Sequence, residues 1–554
     1  MWSCSAHDSY QMVNANRWGG LYTDSHSSIA GKLNQRNLRV PRPLYGVTMS
    51  TATDNSLPAE WAELIKFFEQ QNAQAKAMGR PEKVQQRRDN NLLNARQRIT
   101  ALVDDGSFNE IGALVGSIEH GGLPAAPADA LVGGLATIDG RPVVVGAEDA
   151  TVQGGSIGHG THSKRLRLAN IAHREKVPMV MLLDGAGERA SNALLRHPYA
   201  PNDMQEMAAL SRKVPTIAVV MGASAGHGAI TALLSDIVIM TTEGAIFSAG
   251  PPLVAAAMGE IINKEDLGGP AVHSRSGVVH NVVESEQQAF DLVHQYLSFL
   301  PSNGWQYPPQ ADTDDSGQRR LDQILHTLPR DGKQAYNVYK IIEQLVDNGL
   351  FRDFNPDFGR SIVTGFAHLG GRPVAIVANQ PSVMAGSITH EAAEKAAYFI
   401  DLADSYHLPV IFLADNPGVM SGSGAEKAGT LRSAAAMYAA QCKLSTPKLH
   451  VTLRKAYGFG SSLMAMNPFD NQTISFAFPG IALGGIPASG GGAAAKMSTE
   501  EQAFFEQVER EGWLKVADTL GYDEVIDPRQ LRNKLLAGLD ISRERNSQPA
   551  TPKR

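Results

Sequence analysis

The stretch "GRPVVVGAEDATVQGGSIG" at residues 140–158 returns, little altered, as "GRPVAIVANQPSVMAGSIT" at residues 371–389. The copies lie 231 positions apart, and the interval persists along the chain. "VPMVMLLDGAG" (177–187) is matched by "LPVIFLADNPG" (408–418) at 231, and "VPTIAVVMGASAG" (214–226) by "TPKLHVTLRKAYG" (446–458) at 232. Self-similarity at so long an interval, held through three blocks, marks a duplicated domain rather than a solenoid.

Both copies run in the same order. A β-branched apolar run comes first, "RPVVVGAED" or "RPVAIVANQ". A Gly-Ser-Ile turn and a helix follow, "HSKRLRLANIAH" or "HEAAEKAAYFIDLADSY". Next come a buried strand ending in Asp-x-x-Gly and a second ending in a glycine cluster. Strands that read as continuous hydrophobic runs, alternating with helices, predict α/β layers with both sheet faces covered. The glycines fall where a strand ends and a helix begins. Backbone N–H groups there lack intrahelical acceptors and face the positive end of a helix dipole. Two such turns set side by side make an oxyanion hole.

Around this repeat, 554 residues call for two or three domains, and 43% hydrophobic with 19% charged residues is a globular composition. A net charge of −6 without a long basic run gives nucleic acid no footing. No apolar run reaches membrane-spanning length, so no membrane segment is expected. Cys4 and Cys442 are too few for a disulfide framework or a zinc ribbon. A reducing compartment is expected: the cytoplasm, or the mitochondrial matrix if residues 1–56 act as a transit peptide. That polar leader is expected to be disordered, with a soluble start at Met49 and a helix after it.

No Ser–His–Asp, His–Cys or paired-carboxylate constellation stands out. His159, His162 and His227 read as turn and cap residues, and their spacing supports no metal site. Lys164 and Lys395 recur at the 231 interval, and Asp184 and Asp415 end matched strands, as turn and cap residues.

Six blocks, in order, resemble the carboxyltransferase (β) subunits of biotin-dependent acyl-CoA carboxylases, the propionyl-, methylcrotonyl- and acetyl-CoA carboxylase family. They are "ARQRITALVDDGSFNEIG" (95–112), "EDLGGPAVHSRSGVVHNVV" (265–283), "VANQPSVMAGSI" (377–388), "DNPGVMSGSGAEKAG" (415–429), "RKAYGFG" (454–460) and "DEVIDPRQLRNKL" (523–535). The resemblance implies two tandem crotonase-like domains, at 57–312 and 320–548. It implies transfer of a carboxyl group from carboxybiotin to the α or γ carbon of an acyl-CoA. A partner chain, the biotin carboxylase/biotin carboxyl carrier (α) subunit, would carry the biotin, and no metal would be needed in this chain. Biotin itself serves as the base, so two oxyanions develop and the protein needs two holes.

By position, the amides of Ala186 and Gly187 would hold the thioester oxygen and those of Phe459 and Gly460 the biotin oxygen. Gly154, Gly155, Lys164, Gly226 and Ser462 would line the acyl-CoA site, with Lys164 on the CoA phosphates. "GAGER" stands where the family often has Ser-Gly-Gly-Ala-Arg, and "GFGSS" where it often has Gly-Gly-Ala-Tyr, so the substrate is less constrained than the reaction. Family sites lie between subunits, which implies a dimer at least and commonly a hexamer. Three other readings stand beside this one: a biotin-dependent decarboxylase running the same site in reverse, a crotonase-type hydratase or isomerase, and a non-catalytic structural paralogue.

Overall fold

The structure is a computed structural model and describes residues 58–119, 125–194, 203–467, 470–488, 495–547 and 549–552. The leader 1–56 lies outside the described residues. The first repeat supplies β1 (Asn109–Glu110), β2 (Leu131–Ile138), β3 (Arg141–Glu148), β4 (Met179–Gly185), β5 (Thr216–Ala225), β6 (Ile237–Thr241), β7 (Ala245–Phe247) and β8 (Asn281–Val283). The second supplies β9 (Phe351–Phe354), β10 (Ile362–Leu369), β11 (Arg372–Asn379), β12 (Val410–Asn416), β13 (Lys448–Tyr457), β14 (Ile474–Ala477), β15 (Ala482–Gly484) and β16 (Glu524–Val525).

The two sheets have one topology. The first runs β1-β2-β3-β4-β5-β6-β8 with β7 against β5, and the second β9-β10-β11-β12-β13-β14-β16 with β15 against β13. Each begins with antiparallel pairs and continues parallel. The interval seen in sequence is kept in register: Leu131 pairs with Glu148, and Ile362 with Asn379. Even the irregularity repeats, with register shifts between Leu183 and Gly185 and between Ala414 and Asn416.

Both faces of each sheet are covered. Helix His159–Glu175 packs Leu168, Ala169 and Ala172 onto one face of the first sheet. The opposite face shares one core with helix Glu286–Phe299 and with the second repeat. In helix His390–Ser405, Ala392, Ala396, Phe399, Ile400 and Ala403 are buried, a spacing of three and four that puts one stripe inward. Tyr296, Phe354, Phe366 and Phe399 meet there with ring centroids 4.9–6.4 Å apart.

Polar contacts join the repeats as well. The Tyr406 hydroxyl donates to Asp236 Oδ2 at 2.5 Å and the Tyr398 hydroxyl to the Asp236 carbonyl at 2.8 Å. His280 stacks on Phe354 at 4.4 Å, and its Nδ1 accepts the Val238 N–H. Burial pulls its pKa down to about 3, so that ring is neutral. Among the described residues, no helix is long and apolar enough to cross a membrane.

Candidate active site

In each half two strand-end turns pack against one another. The first follows β4 or β12 (Ala186–Glu188, Pro417–Val419), and the second follows β5 or β13 and opens a short helix, His227–Leu233 or Gly458–Leu463. Glycine is what permits the approach. A Cβ on Gly187 (φ +84) would lie 2.7 Å from the Ala225 carbonyl oxygen, and one on Gly460 would lie 2.8 Å from Gly418 Cα. Two further glycines, Gly226 and Gly458, hold the same left-handed turn at φ +54.

This geometry amends the expected holes. The Ala186 N–H donates to the Gly154 carbonyl at 3.0 Å, so it is not a free donor, contrary to the expectation from sequence. The Gly187 N–H has no acceptor among the described residues. Gly187 packs against Ala225, two residues before helix His227–Leu233, whose first N–H groups, on His227 and Gly228, have no intrahelical acceptor. These stand 232 residues before Phe459 and Gly460. Sequence reasoning chose the first turn of one half and the second turn of the other; the 232 interval was the signal that each half owns both.

In the second half Phe459 and Gly460 occupy the start of helix Gly458–Leu463. The Phe459 side chain is half exposed. Gly418, at φ +120, completes the pair. Ser462 lies on the same helix, half buried, with its carbonyl accepting from Gln441 Nε2 at 3.1 Å. Asp184 and Asp415 do more than end strands. Asp184 pairs with Arg87 and Arg98, each at 2.9 Å, and Asp415 with Arg454 at 3.0 Å.

Lys164 does not reach a ligand. Its side chain is buried and its Nζ donates to the Ala128 and Leu131 carbonyls, so the expected phosphate contact is corrected to a structural one. Lys395 does the equivalent work, donating to the Asn355 carbonyl at 3.1 Å. Burial lowers the two pKa values to about 8 and about 7. The cations that sequence reasoning missed are Arg80 and Lys83. They are exposed at a cleft of about 740 Å³ whose wall includes Thr151, Gln153 and Gly154. Gly154 links the cleft to the turns: a Cβ there would stand 3.9 Å from the Ala186 Cβ. Gly155 is buried beneath it, against the Asp184 carbonyl.

Two of the three histidines converge. His162 and His227 meet edge to face with centroids 5.1 Å apart, and Asp203 bonds His227 Nε2. Arg165 lies between Asp203 and Glu148, at 2.9 and 2.8 Å, with all three side chains buried. Glu148 Oε2 in turn accepts the Asp184 N–H at 2.8 Å.

Each half of this doubled α/β scaffold packs two glycine turns together. Among the described residues, the N–H groups of Gly187, His227 and Gly228 in the first half and of Phe459 and Gly460 in the second have no acceptor, whereas the Gly418 N–H donates to Asn416 Oδ1 at 3.1 Å. The chain belongs to the carboxyl transferase domain family, whose model matches residues 86–554. It is 30% identical over 488 residues to the carboxyltransferase subunit of propionyl-CoA carboxylase of Haloferax mediterranei, covering 85% of this chain and 94% of the relative. It is 32% identical over 499 residues to the α subunit of methylmalonyl-CoA decarboxylase of Veillonella parvula, covering 88% and 97%. The fold superposes with a TM-score of 0.83 and 30% identity on transcarboxylase 12S, solved as a hexamer with methylmalonyl-CoA bound, over 90% of this chain and 99% of that one. The two sheets are therefore tandem crotonase-like domains.

Proposed function

We propose that this chain is the carboxyltransferase subunit of a biotin-dependent acyl-CoA carboxylase. The observation that carries the reading is the pair of packed glycine turns in each half, with N–H groups left free at Gly187, His227 and Gly228 in the first half and at Phe459 and Gly460 in the second. The domains run from about 57 to 312 and from about 320 to 548.

The first half suits the acyl-CoA. Arg80 and Lys83 would take CoA phosphates at the cleft, and Gly154 would admit the pantetheine to the turns. The Gly187 N–H, with those of His227 and Gly228, would hold the thioester oxygen. In the second half, Phe459 and Gly460 N–H beside Gly418 offer a donor pair with no Cβ in the way at 418 or 460, which fits the ureido oxygen of biotin. When bound, carboxybiotin supplies both the carboxyl group and the base. The residues of this chain orient the thioester α carbon, hold the two oxygens, and present donors already fixed by packing.

Assembly supports the same reading. Helix Pro251–Met258 buries none of its residues, and Leu253, Met258 and Ile261 are exposed. In the second half Leu431, Tyr438, Phe459 and Ile486 are exposed as well. Apolar surface on this scale suits cover by another chain, and here by a second copy, first half against second half, in a dimer or in a hexamer built as a trimer of dimers. A biotin carboxylase/carrier chain would deliver the carboxylated biotin.

The test is carboxyl transfer from free carboxybiotin to a panel of acyl-CoAs by the purified oligomer, with light scattering. Transfer to at least one acyl-CoA is expected. An inactive oligomer that still binds acyl-CoA would favour a structural paralogue. Net decarboxylation of malonyl-type thioesters, with no carboxylation, would favour the reverse direction, a reading the Veillonella relative makes specific.

A further inference from the structure

The two halves of the molecule provide an internal control. Where the first half has Glu148, His162, Arg165 and His227, the second, at the intervals that align the strands, has Asn379, Ala393, Ala396 and Phe459. Asp203 falls opposite Ala434 or Ala435. The second half builds the same sheet, the same turns and the same helix pair with Asn379, alanines and a phenylalanine at these positions. The buried polar cluster of the first half is therefore not required by the fold, and burying such groups is costly unless they are paired.

We propose that His162, Asp203 and His227 bind a divalent transition-metal ion beside the glycine turns of the first half. Each offers one ligand atom, and these atoms lie within 4.8 Å of one another. Ligands about 2.0–2.2 Å from a tetrahedral ion stand roughly 3.3 Å apart, so the Asp203–His227 hydrogen bond would open, giving up its proton to solvent, and His162 would move inward to complete the site. Two imidazoles and one carboxylate select zinc-like ions over calcium or magnesium.

The surroundings match a ligand set. His162 Nδ1 is buried and has no hydrogen-bond partner, while Nε2 bonds Glu188 at 2.9 Å. A carboxylate on the far nitrogen is how a ligating imidazole is usually fixed. Arg165 does the same for Asp203, through Oδ2. Glu148, Asp203 and Glu188 set against Arg165 leave two negative charges, which one divalent ion balances.

The ion would tie three segments: helix His159–Glu175, the start of helix Asp203–Leu210, and the first residue of helix His227–Leu233. Through Glu188 it also braces the Gly187 turn. Its role is to position the donors of that turn pair, and the carboxyl transfer itself does not pass through it.

The experiment is titration of the chelator-treated full-length oligomer with Zn²⁺ by calorimetry and with Co²⁺ by visible absorption. One equivalent per chain is expected, with cobalt d–d bands and a rise in the thermal midpoint. His162→Ala and His227→Phe, which install the second half's residues, should each weaken uptake by more than about 100-fold. His173→Ala, on the same helix but paired with Glu206, should leave it unchanged. No stoichiometric uptake by the unmutated protein overturns the proposal, and so does uptake that survives both substitutions. If the variants misfold by circular dichroism, X-ray absorption of the zinc-loaded unmutated protein decides: imidazole ligation supports the site, and its absence overturns it.

Discussion

The two halves share a backbone and differ in what they bury at its centre. Between the second-turn helix and the sheet, the first half holds a charged network of Glu148, Arg165 and Asp203 with two histidines, and the second holds alanines and Asn379. Yet Asn379 does the same backbone job as Glu148, accepting the Asp415 N–H at 3.0 Å where Glu148 accepts that of Asp184. Lys164 and Lys395 likewise keep one role in both halves. Duplication has preserved the groups that hold the turns in place and has let the groups around them diverge. The turns are thus what the halves share, and the shell around them is where the halves differ.

The sharpest break of this comparison is at the turns. Gly187→Val and Gly460→Val each force a Cβ into backbone and should each cost carboxyl transfer about 10²–10³-fold, or ~3–4 kcal/mol. Gly460→Val should spare acyl-CoA affinity, and Gly187→Val should spare decarboxylation of free carboxybiotin. Transfer and decarboxylation assays on assembled protein separate the two. Equal loss of both activities in both variants would end the assignment of one oxyanion to each half.

A second test asks whether the halves act as one folding unit. Tyr406→Phe removes the 2.5 Å bond to Asp236 and should lower unfolding stability by about 2 kcal/mol, in a single transition by denaturant titration. Two separated transitions would show that the shared core does not couple them.

The buried lysines give a smaller, pH-dependent effect. Folding depresses the Lys395 pKa to about 7, and the unfolded chain keeps the ordinary higher value. The unfolded state therefore binds more protons above pH 7, and stability rises with pH from there toward pH 10. Lys395→Met should stabilise the protein more at pH 7 than at pH 10. For Lys164→Met the corresponding window opens near pH 8. Thermal midpoints across pH would show the crossing, and a pH-independent difference would mean that neither lysine loses its proton in the fold.

The smallest effect should fall on the first half alone. Arg80→Ala and Lys83→Ala should each raise KM for acyl-CoA roughly 2–5-fold and leave KM for a pantetheine thioester unchanged, because both cations are exposed. Equal changes for both substrates would move the phosphates elsewhere.

The sequence by itself determined the duplication, the α/β layers and the positions of the glycine turns. These are written in local patterns: apolar runs of strand length, glycine at strand ends, and one interval carried through three blocks. The family resemblance then pointed to Gly187 and Gly460, and the structure shows that a Cβ at either would press on neighbouring backbone. Three things were decided only in tertiary structure. Ala186 spends its N–H on Gly154, which depends on how the Gly-Ser-Ile turn lies against the Asp-x-x-Gly turn. Lys164 points into the protein, because the helix that carries it turns that face toward the Ala128 and Leu131 carbonyls. His162, Asp203 and His227 meet although they come from three separate helices, because the parallel sheet brings successive strand-to-helix junctions to one end. A spacing along the chain reports neighbours within one element, whereas the convergence of side chains from different elements exists only once the sheet has set their distance.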